Sequence, residues 1–305
     1  MRKPIIFFFT ISLLVSASLP VQSQQNNEVT SAYKDIRETL GVLPTFFKEY
    51  PQFSITGAWM EMKGTLLNSS SAIPAKYKEL ISLAVAAQIP CRFCAYFHTE
   101  GAKVYNASVI ELREAVAVGG LSRRWSTFLN GIQIDVGEFR SEIDKILMIQ
   151  NNKQNLQAME VTPSPQEIQL NTIEDVYKDI KNQFGILPNF ITQYPKQSLA
   201  GAWREIKGLM LNPYTTIPLK YKDLIGLAVS AQVPCAYCIY YHTQSAIMQG
   251  ATKEELEETV ALSGAVRAWS SVLNGTMMDE KTFREEVNQM MIYLKSKNTK
   301  KVGKD

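Results

Sequence analysis

All four cysteines and both histidines of this chain fall into two copies of one motif, Cys-x-x-Cys-x-x-x-His. The motif residues are Cys91, Cys94 and His98 in the first copy, and Cys235, Cys238 and His242 in the second. A dithiol beside an imidazole can supply a thiolate nucleophile, a second thiol that closes a disulfide, and a group that accepts a proton. The pattern therefore indicates redox or nucleophilic chemistry, with a structural disulfide or a zinc site as alternatives.

The spacing predicts that the three motif side chains share one face of a helix. Cys91 and Cys94 are three residues apart, and Cys94 and His98 are four apart, so they follow one another turn by turn. Pro90 marks the helix start, which puts Cys91 in the first turn, where unpaired backbone N–H groups and the helix dipole favour a thiolate. His98 lies one turn further on and can accept or relay a proton.

A carboxylate precedes each motif at the same interval. Glu79 lies twelve residues before Cys91, and Asp223 lies twelve residues before Cys235. Such a group can orient an imidazole and stabilise its charged form, although a solvated charge on a helix surface is an alternative. The sequence thus predicts a carboxylate–histidine relay beside each dithiol, with an aspartate one methylene shorter in the second copy.

The chain is a tandem repeat. Trp59 returns as Trp203 and Trp125 as Trp269, in each case 144 positions later, and about half of the aligned positions are identical. A polar stretch between the copies has the composition of an exposed linker. The two predicted domains and the linker cover residues 28–149, 170–296 and 150–169, respectively.

Helix signals dominate both repeats. Ser108 with Glu111 and Thr252 with Glu255 form capping boxes, whereas the alternation and hairpin dipeptides that mark strands are missing from the sequence. We therefore expect an all-α fold of two tandem helical domains.

The first residues are typical of a secretory signal. Arg2 and Lys3 precede an apolar run at 5–15 that is too short to span a bilayer, and small residues follow as far as Ser23. A signal peptide over residues 1–23 would give a secreted or periplasmic protein with no membrane attachment after cleavage; an uncleaved anchor is the alternative. Export would also expose the cysteine pairs to an oxidising compartment.

The charge balance gives no support for nucleic-acid binding. The formal net charge is +3, and removal of Arg2 and Lys3 with the signal peptide leaves +1. The basic tail at residues 297–305 is interpreted as a solvated chain end.

The combination of Glu79, Cys91, Cys94 and His98 resembles the alkyl hydroperoxidase D group of the carboxymuconolactone decarboxylase-like superfamily. The resemblance covers about residues 50–130 and 194–274. In the second copy Cys235, Cys238 and His242 match the pattern, whereas Asp223 departs from it.

This resemblance implies an all-helical domain that assembles into trimers or hexamers, so two fused copies would form a pseudo-hexamer from three chains. It also implies reduction of a hydroperoxide by the dithiols, with an unknown thiol reductant and without a metal or other cofactor. Cys94 and Cys238 would attack the peroxide, and Cys91 and Cys235 would resolve the sulfenic acid as a disulfide. The proton relays would be Glu79 with His98 and Asp223 with His242.

Three other functions remain open from the sequence. The dithiols could exchange with protein disulfides instead of peroxides. The chain could be a lyase of the same superfamily, although its decarboxylase branch generally lacks the cysteine pair. It could also be a non-catalytic helical assembly whose cysteines form structural disulfides.

Overall fold

The computed structural model describes residues 19–157 and 169–302, and within these ranges all regular structure is helical. The predicted all-α class is therefore confirmed. The apolar run of the predicted signal peptide lies outside the described residues. Over the part of the chain that the structure describes, no helix combines the length and apolar composition needed to cross a membrane.

The first repeat forms seven α-helices. Proline supplies the residue before α2 and before α4, where its fixed φ and missing N–H suit a helix start. The predicted capping box of Ser108 and Glu111 opens α6. The helices are α1 (Leu19–Leu40), α2 (Thr45–Lys48), α3 (Ile55–Thr65), α4 (Ala75–Gln88), α5 (Arg92–Val104), α6 (Val109–Ile132) and α7 (Val136–Gln157).

The second repeat forms the same series. The capping box of Thr252 and Glu255 opens α13, as predicted, and α10 continues into a π-helical turn at Lys207–Leu211. The helices are α8 (Ile173–Phe184), α9 (Asn189–Thr192), α10 (Lys196–Ile206), α11 (Leu219–Gln232), α12 (Ala236–Met248), α13 (Lys253–Gly275) and α14 (Glu280–Val302).

The two repeats share one core. Helices α4 and α6 of the first repeat pack against α11 of the second, and α13 of the second packs against α4. At the contact of α4 with α11, the rings of Tyr77 and Tyr221 stack with centroids 3.5 Å apart and planes 8° from parallel. Buried apolar residues from both repeats therefore form a continuous cluster.

A buried ion pair also joins the repeats. The Nζ of Lys222 lies 2.9 Å from the Glu114 carboxylate, and both side chains are almost completely shielded from solvent. Glu114 further accepts hydrogen bonds from the backbone N–H groups of Thr216 and Ile217. Because a buried charge is costly without a partner, this arrangement fixes how α6 meets the second repeat.

The last helix of each repeat crosses to the motif helix of the other. α7 packs against α12, and α14 packs against α5. Arg92 pairs with Glu280 at 2.9 Å, and the Tyr240 hydroxyl donates to Asp144 at 2.6 Å. Residues 150–157 of the predicted linker continue α7, and residues 297–302 of the predicted tail continue α14. Each motif helix is therefore covered by the opposite repeat.

Candidate active sites

The first cysteine of each motif caps a helix. Cys91 is the N-cap of α5, and its Sγ accepts the Cys94 backbone N–H at 3.2 Å. Cys235 caps α12 in the same way, with the Cys238 N–H 3.3 Å away. The helix thus begins one residue after the first cysteine, and the second cysteine lies in its first turn. An N-cap acceptor that becomes anionic is favoured by the helix dipole and by the free N–H groups.

Donors from the opposite repeat complete the surroundings of Cys91. The Nδ2 of Asn274, on α13, lies 3.6 Å from the Cys91 Sγ. Hydrogen bonds from the Cys94 side chain, from Ser270, from the Cys94 backbone and from Asn274 together lower the pKa of Cys91 from 9.0 to about 6, against the effect of burial. Cys91 is therefore the thiolate of the pair near neutral pH.

The second motif has the same environment with the repeats exchanged. Hydrogen bonds from the Cys238 side chain and backbone, Ser126 and Asn130 lower the pKa of Cys235 to about 6, although burial opposes the shift. The two sulfurs of this pair lie 2.8 Å apart. Ser126 and Asn130 are on α6 of the first repeat, so neither thiolate environment is complete within its own repeat.

The second cysteine of each pair stays protonated. Its hydrogen bond to the first cysteine raises the pKa of Cys94, and burial raises it further. The same two causes raise the pKa of Cys238. Each reduced pair consequently holds one proton, which resides on the cysteine in the first turn of the helix.

The predicted relays are assembled in both copies. The Nδ1 of His98 lies 2.7 Å from the Glu79 carboxylate, and both side chains are buried. The Nδ1 of His242 lies 3.0 Å from the Asp223 carboxylate, also in a buried position. Each carboxylate accepts a hydrogen bond from an Nδ1–H group, which directs Nε2 away from the carboxylate; in the second site Nε2 lies 3.3 Å from the Ser122 hydroxyl. Glu79 and Asp223 are therefore not solvated surface charges.

Each cysteine pair opens on an apolar cleft made by both repeats. Cys94 and His98 line the cleft of the first pair together with Trp269 and Phe283. The corresponding residues of the second cleft are Cys238, His242, Trp125 and Phe139.

Residues 55–134 and 198–276 match the model of one protein family, the carboxymuconolactone decarboxylase family. The chain belongs to this family. Each matched segment contains one complete motif, so the membership and the tandem duplication inferred from the sequence are confirmed together.

Two known proteins illustrate the range of similarity to this member of the carboxymuconolactone decarboxylase family. An uncharacterised protein of Cupriavidus necator is 30% identical over 87 residues, which are 28% of this chain and 70% of that protein. A Burkholderia xenovorans protein, named as a candidate gamma-carboxymuconolactone decarboxylase subunit and solved at 1.70 Å, has a TM-score of 0.52 at 13% identity. It covers 84% of this chain and 98% of its own, so the likeness in fold extends over both repeats.

In this member of the carboxymuconolactone decarboxylase family, sequence reasoning missed the polar residues that reach each site from the other repeat. Ser270 and Asn274 serve Cys91, whereas Ser126 and Asn130 serve Cys235. The same serine and asparagine occur in both repeats, which is a signal in the sequence. Their role could not be predicted from it, because it depends on a contact between the two repeats. Among the described residues, no group of three or more His, Cys, Asp and Glu side chains is placed to hold a metal ion.

Proposed function

We propose that this protein reduces small apolar hydroperoxides with its two buried dithiols. The observation that carries the proposal is the combination of a low-pKa thiolate, a protonated partner thiol and a histidine at the wall of one apolar cleft. A perturbed pKa in a cleft with a charge relay is typical of a catalytic centre. A structural disulfide needs neither a relay nor a cleft.

The geometry supports Cys94 as the attacking residue of the first site. Cys94 lines the cleft, whereas Cys91 lies behind it and holds the negative charge. As the Cys94 sulfur adds to the terminal peroxide oxygen, its proton passes to the Cys91 thiolate. The O–O bond breaks, and the alkoxide leaves as an alcohol after taking a proton that His98 relays from the solvent.

Resolution of the sulfenic acid balances the reaction. The Cys91 thiol attacks the Cys94 sulfenic sulfur, the S–S bond forms, and the hydroxyl group leaves as water. Two thiols are oxidised to one disulfide, and the hydroperoxide is reduced to an alcohol and water. A dithiol reductant must then return two electrons by exchange. Cys238 and Cys235 have the corresponding roles in the second site.

The cleft favours a small oxidant over a protein disulfide. Cys91 and Cys94 are only 1% and 3% exposed, so the sulfur of a folded protein cannot approach them without rearrangement of the helices. Aromatic and aliphatic side chains form most of the wall, which suits an alkyl chain. Ser82 also lines the cleft, and its buried Oγ has no hydrogen-bond partner in the described parts of the chain. That hydroxyl is positioned to donate to a peroxide oxygen.

The test is peroxide consumption by the reduced protein, with a small dithiol such as dithiothreitol as electron donor. The double variant Cys94→Ser/Cys238→Ser should lose turnover with an alkyl hydroperoxide, whereas unchanged turnover would overturn the proposal. Rates measured in parallel with a protein disulfide substrate separate peroxide reduction from thiol–disulfide exchange.

Export and assembly belong to the same proposal. The signal-like N-terminus supports a secreted or periplasmic protein, and the fused repeats support a trimer of chains. Mass analysis of the mature N-terminus and light scattering of the purified protein test these two points. A retained N-terminus would contradict the first, and a stable monomer the second.

A further inference from the structure

Apart from the Ser122 hydroxyl, which lies 3.3 Å from His242 Nε2 where the first site has Val266, the two relays differ at three neighbouring positions. Two of them are glycines that exchange with serines between the copies, and the third is the acidic residue itself. The matched pairs are Glu79 and Asp223, Gly101 and Ser245, and Ser82 and Gly226. All six residues lie on the helices that carry or support the motif, so the differences bear directly on how each histidine is held.

The shorter carboxylate of the second site requires the imidazole to lie closer to α11. A Cβ built on Gly226 would lie 2.2 Å from Cε1 and 2.4 Å from both nitrogens of the His242 ring. The ring therefore occupies the volume that a side chain at this position would need. In the first site Ser82 takes the position of Gly226, and the longer carboxylate of Glu79 reaches His98 Nδ1 at 2.7 Å.

The volume left by the shorter carboxylate is filled from α12. In the first site, a Cβ on Gly101 would lie 2.7 Å from the carboxyl carbon of Glu79, so only glycine fits there. In the second site Ser245 occupies this position, and its hydroxyl donates to the Asp223 carboxylate at 2.7 Å. The other carboxylate oxygen is thereby left facing His242 Nδ1 at 3.0 Å.

We propose that the second site is a complete and active dithiol site, in which Ser245 positions Asp223 and Gly226 admits His242. Made alone in the first type of site, each of the three replacements would cause a steric clash or leave a gap. Together they restore a buried contact between a carboxylate and an imidazole. The proposal rests on the proposed function for its reaction, a hydroperoxide reduction at Cys238. Asp223 is thus part of an alternative relay. A second site that had lost its function would not be expected to keep the contact between Asp223 and His242.

The experiment isolates each site in the full-length chain. Cys91→Ser/Cys94→Ser leaves only the second dithiol, and Cys235→Ser/Cys238→Ser leaves only the first. Peroxide turnover is measured for both proteins, together with the pH dependence of iodoacetamide alkylation of the remaining thiols. Alkylation reports on the surroundings of the thiol that shares the cleft with each histidine, even if hydroperoxide is not the substrate.

In the protein with only the second dithiol, Asp223→Glu should lower turnover at least about tenfold, because the longer side chain meets Ser245. Asp223→Glu/Ser245→Gly should recover part of the loss, and adding Gly226→Ser should recover most of it by rebuilding the first type of relay. Ser245→Ala should lower turnover and change the alkylation of the remaining thiols, since a carboxylate that has lost this donor orients the His242 imidazole less well. Ser271→Ala, at an exposed position on α13, is the matched control and should change neither readout.

The reciprocal change tests the same geometry in the other site. With only the first dithiol present, Gly101→Ser should lower turnover and shift alkylation. Gly101→Ser/Glu79→Asp/Ser82→Gly should restore alkylation and should recover turnover to the level of the Ser82→Ala variant, which also lacks the Ser82 hydroxyl. Thermal melting of every variant separates loss of folding from loss of the relay.

The possible outcomes are distinguishable. If neither single-site protein reduces hydroperoxide, the proposed function fails. The alkylation measurements then still show whether the three replacements compensate for one another in the relay. If only the first site reduces hydroperoxide, the second site is not an active dithiol site and this inference is overturned. Additive effects of the three second-site replacements on alkylation would overturn it as well, because they would show that the replacements do not compensate for one another.

Discussion

Asn274 of the second repeat places its side-chain amide 3.6 Å from the sulfur of Cys91 in the first repeat. The matching residue Asn130 serves Cys235 in the opposite direction. Each dithiol is thus completed by a helix from the other half of the chain. The duplication consequently produced one interlocked unit with two sites, and neither half can form its site alone.

Removal of Asn274 should weaken the Cys91 thiolate. Because one donor to an anionic sulfur is lost, we expect Asn274→Ala to raise the alkylation midpoint of the first pair and to lower its alkylation rate near pH 6 by about two- to tenfold. The rate is measured in the protein that carries only the first dithiol. Asn130→Ala serves as the control there, since Asn130 contacts the other site; an equal effect of both changes would contradict the crossed arrangement.

The stability of the reduced protein should depend on pH through the cysteine pairs. The folded-state pKa of Cys91 is lowered from 9.0 to about 6, so its contribution is fully present above pH 9 and is lost as the pH falls through 6. The pKa of Cys94 is raised, so its contribution is present below 9.0 and lost at higher pH. Relative to a variant with all four cysteines replaced by alanine, the free energy of unfolding should rise from pH 6 to pH 9 and then fall.

Urea denaturation at a series of pH values, with reductant present throughout, measures this difference. The two dithiols should contribute equally to the pH dependence of the unfolding free energy, because the pKa values of Cys91 and Cys235 are lowered to the same extent. A difference between wild type and variant that stays constant over this range would show that the folded protein does not hold a thiolate.

The buried pair of Glu114 and Lys222 should be a strong link between the repeats. Glu114→Ala leaves the Lys222 ammonium buried without its carboxylate, which should cost about 3–5 kcal/mol of unfolding free energy. Glu258, the matching residue, accepts hydrogen bonds from the backbone N–H groups of Ala72 and Ile73. Glu258 acts on the buried Lys78, the counterpart of Lys222, through its charge only, so Glu258→Ala is the matched comparison and should cost less, about 1–3 kcal/mol. Equal losses in urea denaturation would refute the special role of the buried pair.

Ser82 should contribute to peroxide binding in the first cleft. Its buried hydroxyl is unpaired in the described protein, so Ser82→Ala removes a donor that only a ligand would use. We expect kcat/KM for an alkyl hydroperoxide to fall about three- to tenfold, with stability nearly unchanged. The assay uses the protein that retains only the first dithiol, and the exposed Ser70→Ala is the control. Unaltered kinetics would exclude the Ser82 hydroxyl from substrate binding.

Much of the fold was predictable because its signals are local. Capping boxes at Ser108 and Thr252 and the prolines before helices set the helix starts through contacts only a few residues apart. The burial of Glu79 beside His98 also follows from local geometry, since α4 and α5 are consecutive helices in contact. The start of the linker was predicted less well, because its polar composition begins at residue 150 whereas α7 continues to Gln157.

The sequence by itself determined the two motifs, their placement at helix starts, the carboxylate that serves each histidine, and the duplication. These features depend on helical periodicity and short spacing, which any chain with these residues would express. Only the tertiary structure decided that Ser270 and Asn274 stabilise the thiolate of Cys91, and that Ser245 and Gly226 accommodate Asp223. The physical reason is that hydrogen bonding and steric fit depend on distances of a few tenths of an ångström between helices remote in sequence, and packing of the repeats sets those distances.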